Sequence, residues 1–467
     1  MTTHERPTAE GVDVAALSAH VTEAFPRTLA ELTELVGIPG IAWDAFDPAE
    51  LARSADAVAG LARSAGMEDV RILTATTSSG KEGSPAVVAR RPARDGKPTI
   101  LLYAHHDVQP PGDPGLWNTP PFDATEVDGR LYGRGAADDK AGIMVHIAAL
   151  RSVLAVAGDL GIGVTFFFEG EEEAGSPSFR PFLEQYRDLL AADVIVVADS
   201  SNWKVGVPAL TTSLRGMVGA VIEIGVLDHA VHSGMFGGPL LDAPTLAARL
   251  IAGFHDTDGN VAIEGLVSRE TSSIDYPESD FRADASVLDG VRLAGTGPLA
   301  DRLWNKPALS VIGIDVPSVA VSSNTLLPTA RVKVSVRLAP GQDPRDAGEA
   351  LRSHVLGQDL FGARVGVEIV ETGKAFSTDT SAPASRACLW ALEQAWGVPA
   401  VETGIGGSIP FIADLTDVYP SAQILVTGVE DPDSRAHSAN ESLHIDDFRR
   451  AVLAEALLLV KLDTEGQ

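Results

Sequence analysis

Apolar and polar positions change their period several times along the chain. Over residues 20–36, HVTEAFPRTLAELTELV places apolar side chains at helical spacing, which predicts an amphipathic helix. Three short and nearly uninterrupted apolar runs follow, PTILLYAHHDV, IGVTFFFEG and ADVIVVADS, with the length and composition of buried strands. Helices alternating with such strands predict an α/β domain, its mixed, mainly parallel sheet flanked by helices. Each run ends in acid or histidine side chains, and open α/β sheets hold their ligands just beyond the carboxyl ends of their strands.

From residue 213 the texture changes. Strand MVGAVIEIGV, helix APTLAARLIAGF, an irregular stretch through residue 308, strands LSVIGIDV and ARVKVSVRLAP, helix PRDAGEALRSHV and strand RVGVEIVE make a β-α-β-β-α-β order. That order predicts a ferredoxin-like α+β domain inserted into the first. The expected division is a catalytic domain in two parts, 1–212 and 374–467, around an inserted domain at 213–373. The second part returns to amphipathic helices in SRACLWALEQAWG and DDFRRAVLAEALLLVKL.

Composition narrows the function by exclusion. A chain of 467 residues is expected to form about two or three cooperative units rather than one core. The net charge of −28 argues against nucleic acid or an anionic membrane surface as partner, both of which need clustered Lys and Arg. No run approaches the roughly 20 apolar residues of a membrane span, and the first residues carry scattered charges without an apolar segment. With one cysteine, Cys388, no internal disulfide is possible; a cytoplasmic location is expected, with Cys388 a buried small hydrophobe. There is no G-x-S-x-G, so a serine hydrolase has no support.

The chemistry is carried by five scattered motifs. In YAHHDVQP, His105 and Asp107 are two apart at a strand end and share a face, while His106 points away. In LYGRGAADDKAG, Asp138 and Asp139 follow a glycine turn, a place where they equally serve as an acidic helix cap. VTFFFEGEEEAGS drives an apolar strand into Glu169, Glu171, Glu172 and Glu173, which repel unless solvated or neutralised by cations. Asp199 closes the strand VIVVADSSNW, and His437 lies in the polar loop DSRAHSANES. Together these supply five nitrogen and oxygen ligands of the kind that suits zinc, manganese or cobalt, and two ions sharing one carboxylate fit better than one ion. The remaining acid becomes a base. His146 and His444 sit in helix-like contexts and are expected not to be ligands.

The ordered set HHD, GRGAADDK, EGEEEAGS, VVADS and AHSANE resembles the M20 family of di-metal peptidases, over nearly the whole chain. DVQP, LRG, VHSGMFGG and GGSIP look most like its carnosine and Cys-Gly dipeptidase branch. The resemblance implies that His105 and Asp199 hold one ion, Glu173 and His437 the other, and that Asp138 bridges them. It further implies that Asp107 orients His105 and that Glu172 is the general base. His232, otherwise a turn histidine, would reach the other subunit of a homodimer and stabilise the oxyanion; the inserted domain would then be a lid and dimerisation domain. Arg337, otherwise an edge-strand charge, would fork onto a substrate carboxylate, helped by Gly407 and Ser408 in what is otherwise a plain tight turn. The expected activity is hydrolysis of dipeptides or short peptides with a free C-terminus, using two divalent ions per subunit. The alternatives are an N-acyl amino acid deacylase, desuccinylase or carboxypeptidase with the same centre, or a non-catalytic metal-binding scaffold, against which the presence of Glu172 counts.

Overall fold

A computed structural model describes residues 12–94, 96–407 and 410–465. The chain divides into two compact units, one of Met1–Thr212, Thr378–Glu402 and Asp414–Gln467, the other of Ser213–Ser377 and Thr403–Ala413. The second unit thus also takes in Thr403–Ala413. The physical reason is local: the main chain of Ile405 and Gly406 hydrogen-bonds to Arg215.

In the first unit, sheet strands follow the order Asp69–Leu73, Ala86–Arg91, Gly163–Glu169, Thr99–His105, Val194–Val197 and Gln423–Val426. The last four are parallel and the first two antiparallel, so the sheet is mixed and mainly parallel as expected. Strand Gly163–Glu169 is buried at every position, which is why its sequence is continuous rather than alternating. Each of its fully buried phenylalanines, Phe166 and Phe168 among them, contributes on the order of 1.5–3 kcal/mol. Helices Val14–Val36, Lys140–Ala157, Pro383–Trp396 and Ile445–Glu465 supply much of the same core.

Helix Lys140–Ala157 is long and apolar enough, by length and composition, to cross a membrane, but 72% of it is buried inside this core. It is apolar on nearly all sides because it has protein on nearly all sides. Its first residue, Lys140, is fully buried and donates from Nζ to the carbonyls of Leu35 and Ile38 at 2.8 and 2.6 Å. The acidic residues before it do not cap it by side chain: Asp139 at the N-cap makes no capping bond.

A small antiparallel sheet of Thr125–Val127, Arg130–Tyr132 and Ser442–His444 ties the end of the chain to the segment before Gly133. Gly428 marks the close approach of two parallel strands, since a Cβ there would lie 1.6 Å from the Ser200 carbonyl oxygen.

In the second unit, Ala308–Asp315, Thr329–Leu338, Gly216–Gly225 and Arg364–Gly373 form an antiparallel sheet in that order. Helices Ala243–Ala252 and Pro344–Leu356 pack on one face, over Val218, Ala220, Ile222, Val332, Val334 and Val336. In chain order this is the β-α-β-β-α-β, ferredoxin-like arrangement. The stretch expected to be irregular holds two short helices, Glu278–Asp284 and Leu299–Trp304; at 7 and 6 residues they are too short for a periodicity reading to separate from loop.

Candidate metal centre

At the carboxyl ends of the parallel strands, two groups of side chains have donor atoms within 4.8 Å of one another: His105, Glu172 and Asp199, and Asp138, Glu173 and His437. Their backbone sources are separate. His105 ends its strand in register with Glu169, Asp199 lies two residues beyond Val197, and Glu172 and Glu173 open a short 3-10 turn.

Asp138 stands between the groups. Its Oδ1 lies 3.0 Å from His105 Nε2 and its Oδ2 3.0 Å from His437 Nε2. His437 Nε2 is also 3.1 Å from Glu173 Oε2, and Gln109 donates to both oxygens of Glu173, at 3.1 Å from its main chain and 2.7 Å from its side chain.

Asp107 is fully buried and holds two things at once. Its Oδ1 is 3.3 Å from His105 Nδ1, which turns Nε2 toward Asp138, and its two oxygens accept from the backbone N–H groups of Glu172 and Glu173 at 3.1 Å each.

The electrostatics follow from crowding. Burial and then repulsion from Asp199 push the Glu172 carboxyl up to about 9. Burial, opposed by His105 and reinforced by Asp138, pushes Asp199 up to about 7. Hydrogen bonds to Asp138 and Glu173 push His437 up to about 11, so that in the absence of other cations the imidazolium neutralises its neighbours. Acids this crowded, with histidine nitrogens turned toward them, form a donor set that fits divalent cations.

The other acids of the same strand end do different work. Glu169 is buried, accepts from the Tyr103 hydroxyl at 2.6 Å, and is pushed by burial up to about 8. Glu171 accepts from the main chain of Ser84 and from the main chain and hydroxyl of Ser178, so it shapes the turn and belongs to neither group. His106 turns to the Pro85 carbonyl at 2.8 Å, and His146 lies between Glu455 and the Tyr103 carbonyl.

Two acids escaped the reading of the sequence. Glu441 closes the AHSANE motif and is fully buried. Its carboxylate accepts from Arg134 at 2.7 Å and from the N–H groups of Gly135, Ala137 and Asp138 at 3.0–3.1 Å. It therefore binds the loop carrying His437 to the turn carrying Asp138, and nothing in the polar loop around Glu441 signals that partnership locally. Glu430 lies near Asp138, Asp199 and Glu441, and burial followed by those negative charges raises its carboxyl well above the ordinary range. His437 itself sits at φ 60° and Asn440 at φ 64°, in the left-handed region that costs roughly 1–2 kcal/mol per residue outside glycine.

In the second unit, His232 is exposed and its Nδ1 accepts from the Gly234 N–H at 3.0 Å. Arg337 is half-buried on the sheet face away from the helices, opposite Met217. Gly407 follows the strand Val401–Ile405, and Ser408 lies outside the described residues.

Nitrogen and oxygen donors in two groups around one shared aspartate are the chemistry of a hydrolytic metalloenzyme. The chain belongs to peptidase family M20/M25/M40, whose pattern matches residues 101–461, and is a metallopeptidase of that family. It is 33% identical to the cysteinylglycine-S-conjugate dipeptidase of Corynebacterium striatum over 96% of this chain and 98% of that protein. It is 28% identical to the β-Ala-His dipeptidase of Rattus norvegicus over 77% of this chain and 76% of that protein. In fold it matches human carnosine dipeptidase 1 with a TM-score of 0.74 and 23% identity, covering 97% of this chain and 99% of that one.

Proposed function

We propose that the protein hydrolyses the peptide bond of dipeptides or short peptides with a free C-terminus, with two divalent ions per subunit, zinc or manganese, cobalt also fitting the donor set. The observation that carries this reading is the position of Asp138, one carboxylate with each oxygen 3.0 Å from a different histidine. The names of the relatives, a cysteinylglycine-S-conjugate dipeptidase and a β-Ala-His dipeptidase, support the substrate class.

In this reading His105 and Asp199 hold one ion, Glu173 and His437 the other, and Asp138 bridges them. When bound, the ions supply positive charge that polarises the scissile carbonyl and acidifies the attacking water. Glu172 accepts the proton of that water on its carboxylate and delivers it to the leaving amine. Its high proton affinity in a crowd of acids falls as cations enter beside it, which brings it into the range of a base. Asp107 keeps His105 turned toward the centre and fixes the Glu172–Glu173 turn.

His232 stabilises the oxyanion from the partner subunit of a homodimer formed through the inserted lid domain. Its Nδ1 is an acceptor, which leaves Nε2–H as the donor an oxyanion requires. Val319 and Val321, 93% and 72% exposed in the same unit, support a partner surface there. Arg337, Gly407 and Ser408 receive the substrate carboxylate. The compartment is cytoplasmic, in keeping with the lone, buried Cys388.

The test is a substrate panel on metal-stripped protein with zinc, manganese or cobalt restored: Cys-Gly, carnosine, other dipeptides, longer peptides, and N-acetyl and N-succinyl amino acids. Release of amino acids from dipeptides supports the reading. Turnover confined to N-acyl substrates would move the enzyme to the deacylases with the same centre, and no turnover of any of them would overturn both.

A further inference from the structure

The inserted unit carries two arginines, Arg215 and Arg337, that form no ion pair among the described residues. Arg337 lies in the strand Thr329–Leu338, directly across from Met217. Val336 and Leu338, its neighbours in the strand, face the helices, so Arg337 faces the other way. Arg215 lies between the strands Ala209–Leu214 and Gly216–Gly225, and Gly216 beside it pairs with Leu338 beside Arg337, which brings the two arginines near one another.

Arg215 is only 8% exposed. Its Nε donates to the Gly406 carbonyl at 3.1 Å and Nη1 reaches the Lys306 carbonyl at 3.5 Å. Among the described residues, Nη2 has no hydrogen-bond partner, and neither guanidinium has a carboxylate within ion-pair distance. The Gly406 turn lies close against this guanidinium, since a Cβ there would come within 2.9 Å of Arg215 Nη2. Burial, and then repulsion from Arg337, lowers the Arg215 guanidinium to about 10. Two like charges held side by side and half out of water are unfavourable alone and favourable around an anion.

We infer that Arg215 is a second arm of the carboxylate site: with Arg337 and the Gly406–Gly407 turn it forms a two-arginine pocket for the α-carboxylate of the substrate. The inference rests on the reading of Arg337 as the carboxylate-binding arginine, and deepens it. The Nε bond to Gly406 fixes the plane of the fork, leaving Nη2 for one carboxylate oxygen while Arg337 serves the other. A pocket with two positive charges favours an α-carboxylate over an amide or a further peptide bond, and so selects for chain ends.

The experiment compares Ala-Gly with Ala-Gly amide on manganese-loaded enzyme, for the wild type, Arg215→Met, Arg215→Lys and Arg337→Met, with thermal midpoints measured alongside. The wild type is expected to prefer the free acid by about 100-fold in kcat/KM. Arg215→Met is expected to raise KM for the acid about 10- to 100-fold, to leave kcat within about threefold, and to leave the amide unchanged. Arg215→Lys keeps the charge but loses the fork and is expected to fall between; it carries the test if Arg215→Met does not fold. Equal losses on acid and amide in the Arg215 variants would overturn the inference and leave Arg215 as a prop for the Gly406 turn. A preference lost in Arg215→Met but kept in Arg337→Met would retain Arg215 and remove Arg337; a preference unchanged in all three variants would overturn the carboxylate site itself.

Discussion

Single carboxylates in this molecule differ by surroundings more than by position in sequence. Glu171, Glu172 and Glu173 are consecutive, yet one bonds Ser84 and Ser178, one faces His105 and Asp199, and one faces His437. Replacing Glu172 by Gln removes the proposed proton carrier without removing any of the five donors proposed to hold the ions. The expected result is a fall in kcat of about 10²–10⁴-fold with unchanged metal content by elemental analysis. Activity near that of the wild type would remove Glu172 from the base role. Cys388 is the opposite case. It is buried beside a cavity of about 30 Å³ lined also by Trp396 and Glu455, and burial, then Glu455, pushes its thiol up to about 12. An acid raised in the folded chain leaves stability untouched below its free value and withdraws it as pH climbs, because the unfolded chain ionises first. The window is therefore about pH 9 to 12. The native protein is expected to resist iodoacetamide at pH 8 and to be labelled once after unfolding, as mass spectrometry would record.

Elements matter here as devices that bring distant segments to one strand end. The small sheet pairs Ser442–His444 with Arg130–Tyr132, and one step on from it the Glu441 carbonyl accepts from Gly133 at 3.0 Å. The Glu441 carboxylate then spans to Arg134 and to the N–H groups of Gly135, Ala137 and Asp138 in the Asp138 turn. Arg134 is 1% exposed, so removing its partner strands a buried charge, at a cost of about 3–5 kcal/mol. Glu441→Gln is expected to lower the melting temperature of the metal-free protein and to weaken metal binding by calorimetry. A variant with wild-type metal affinity would show that the turn holds Asp138 unaided.

At the scale of the whole molecule, the proposed use of His232 makes each site depend on two chains. Glu172→Gln and His232→Ala lie in different units of the chain and are each expected to be severely impaired. Co-expressed in equal amounts, they are expected to recover about a quarter of wild-type activity, since half the dimers are mixed and each mixed dimer has one intact site. Recovery of nothing above the sum of the two parents would exclude a contribution across subunits.

The periodicity of the chain determined its strands and long helices, because burial on both faces or one leaves a direct trace in the order of apolar residues. Acids at the end of an apolar strand are costly enough to stand out, which singled out Glu172, Glu173 and Asp199 as candidates, whereas Asp138 and His437 stood out only through the resemblance of their motifs to the family. What only the tertiary structure decided is partnership. Nothing local distinguishes Glu441 from a solvated acid, or Arg215 from an ordinary strand-edge cation, until the segments holding Arg134 and Gly406 fold against them. The short helices at 278–284 and 299–304 were hidden because they span too few turns to write a period.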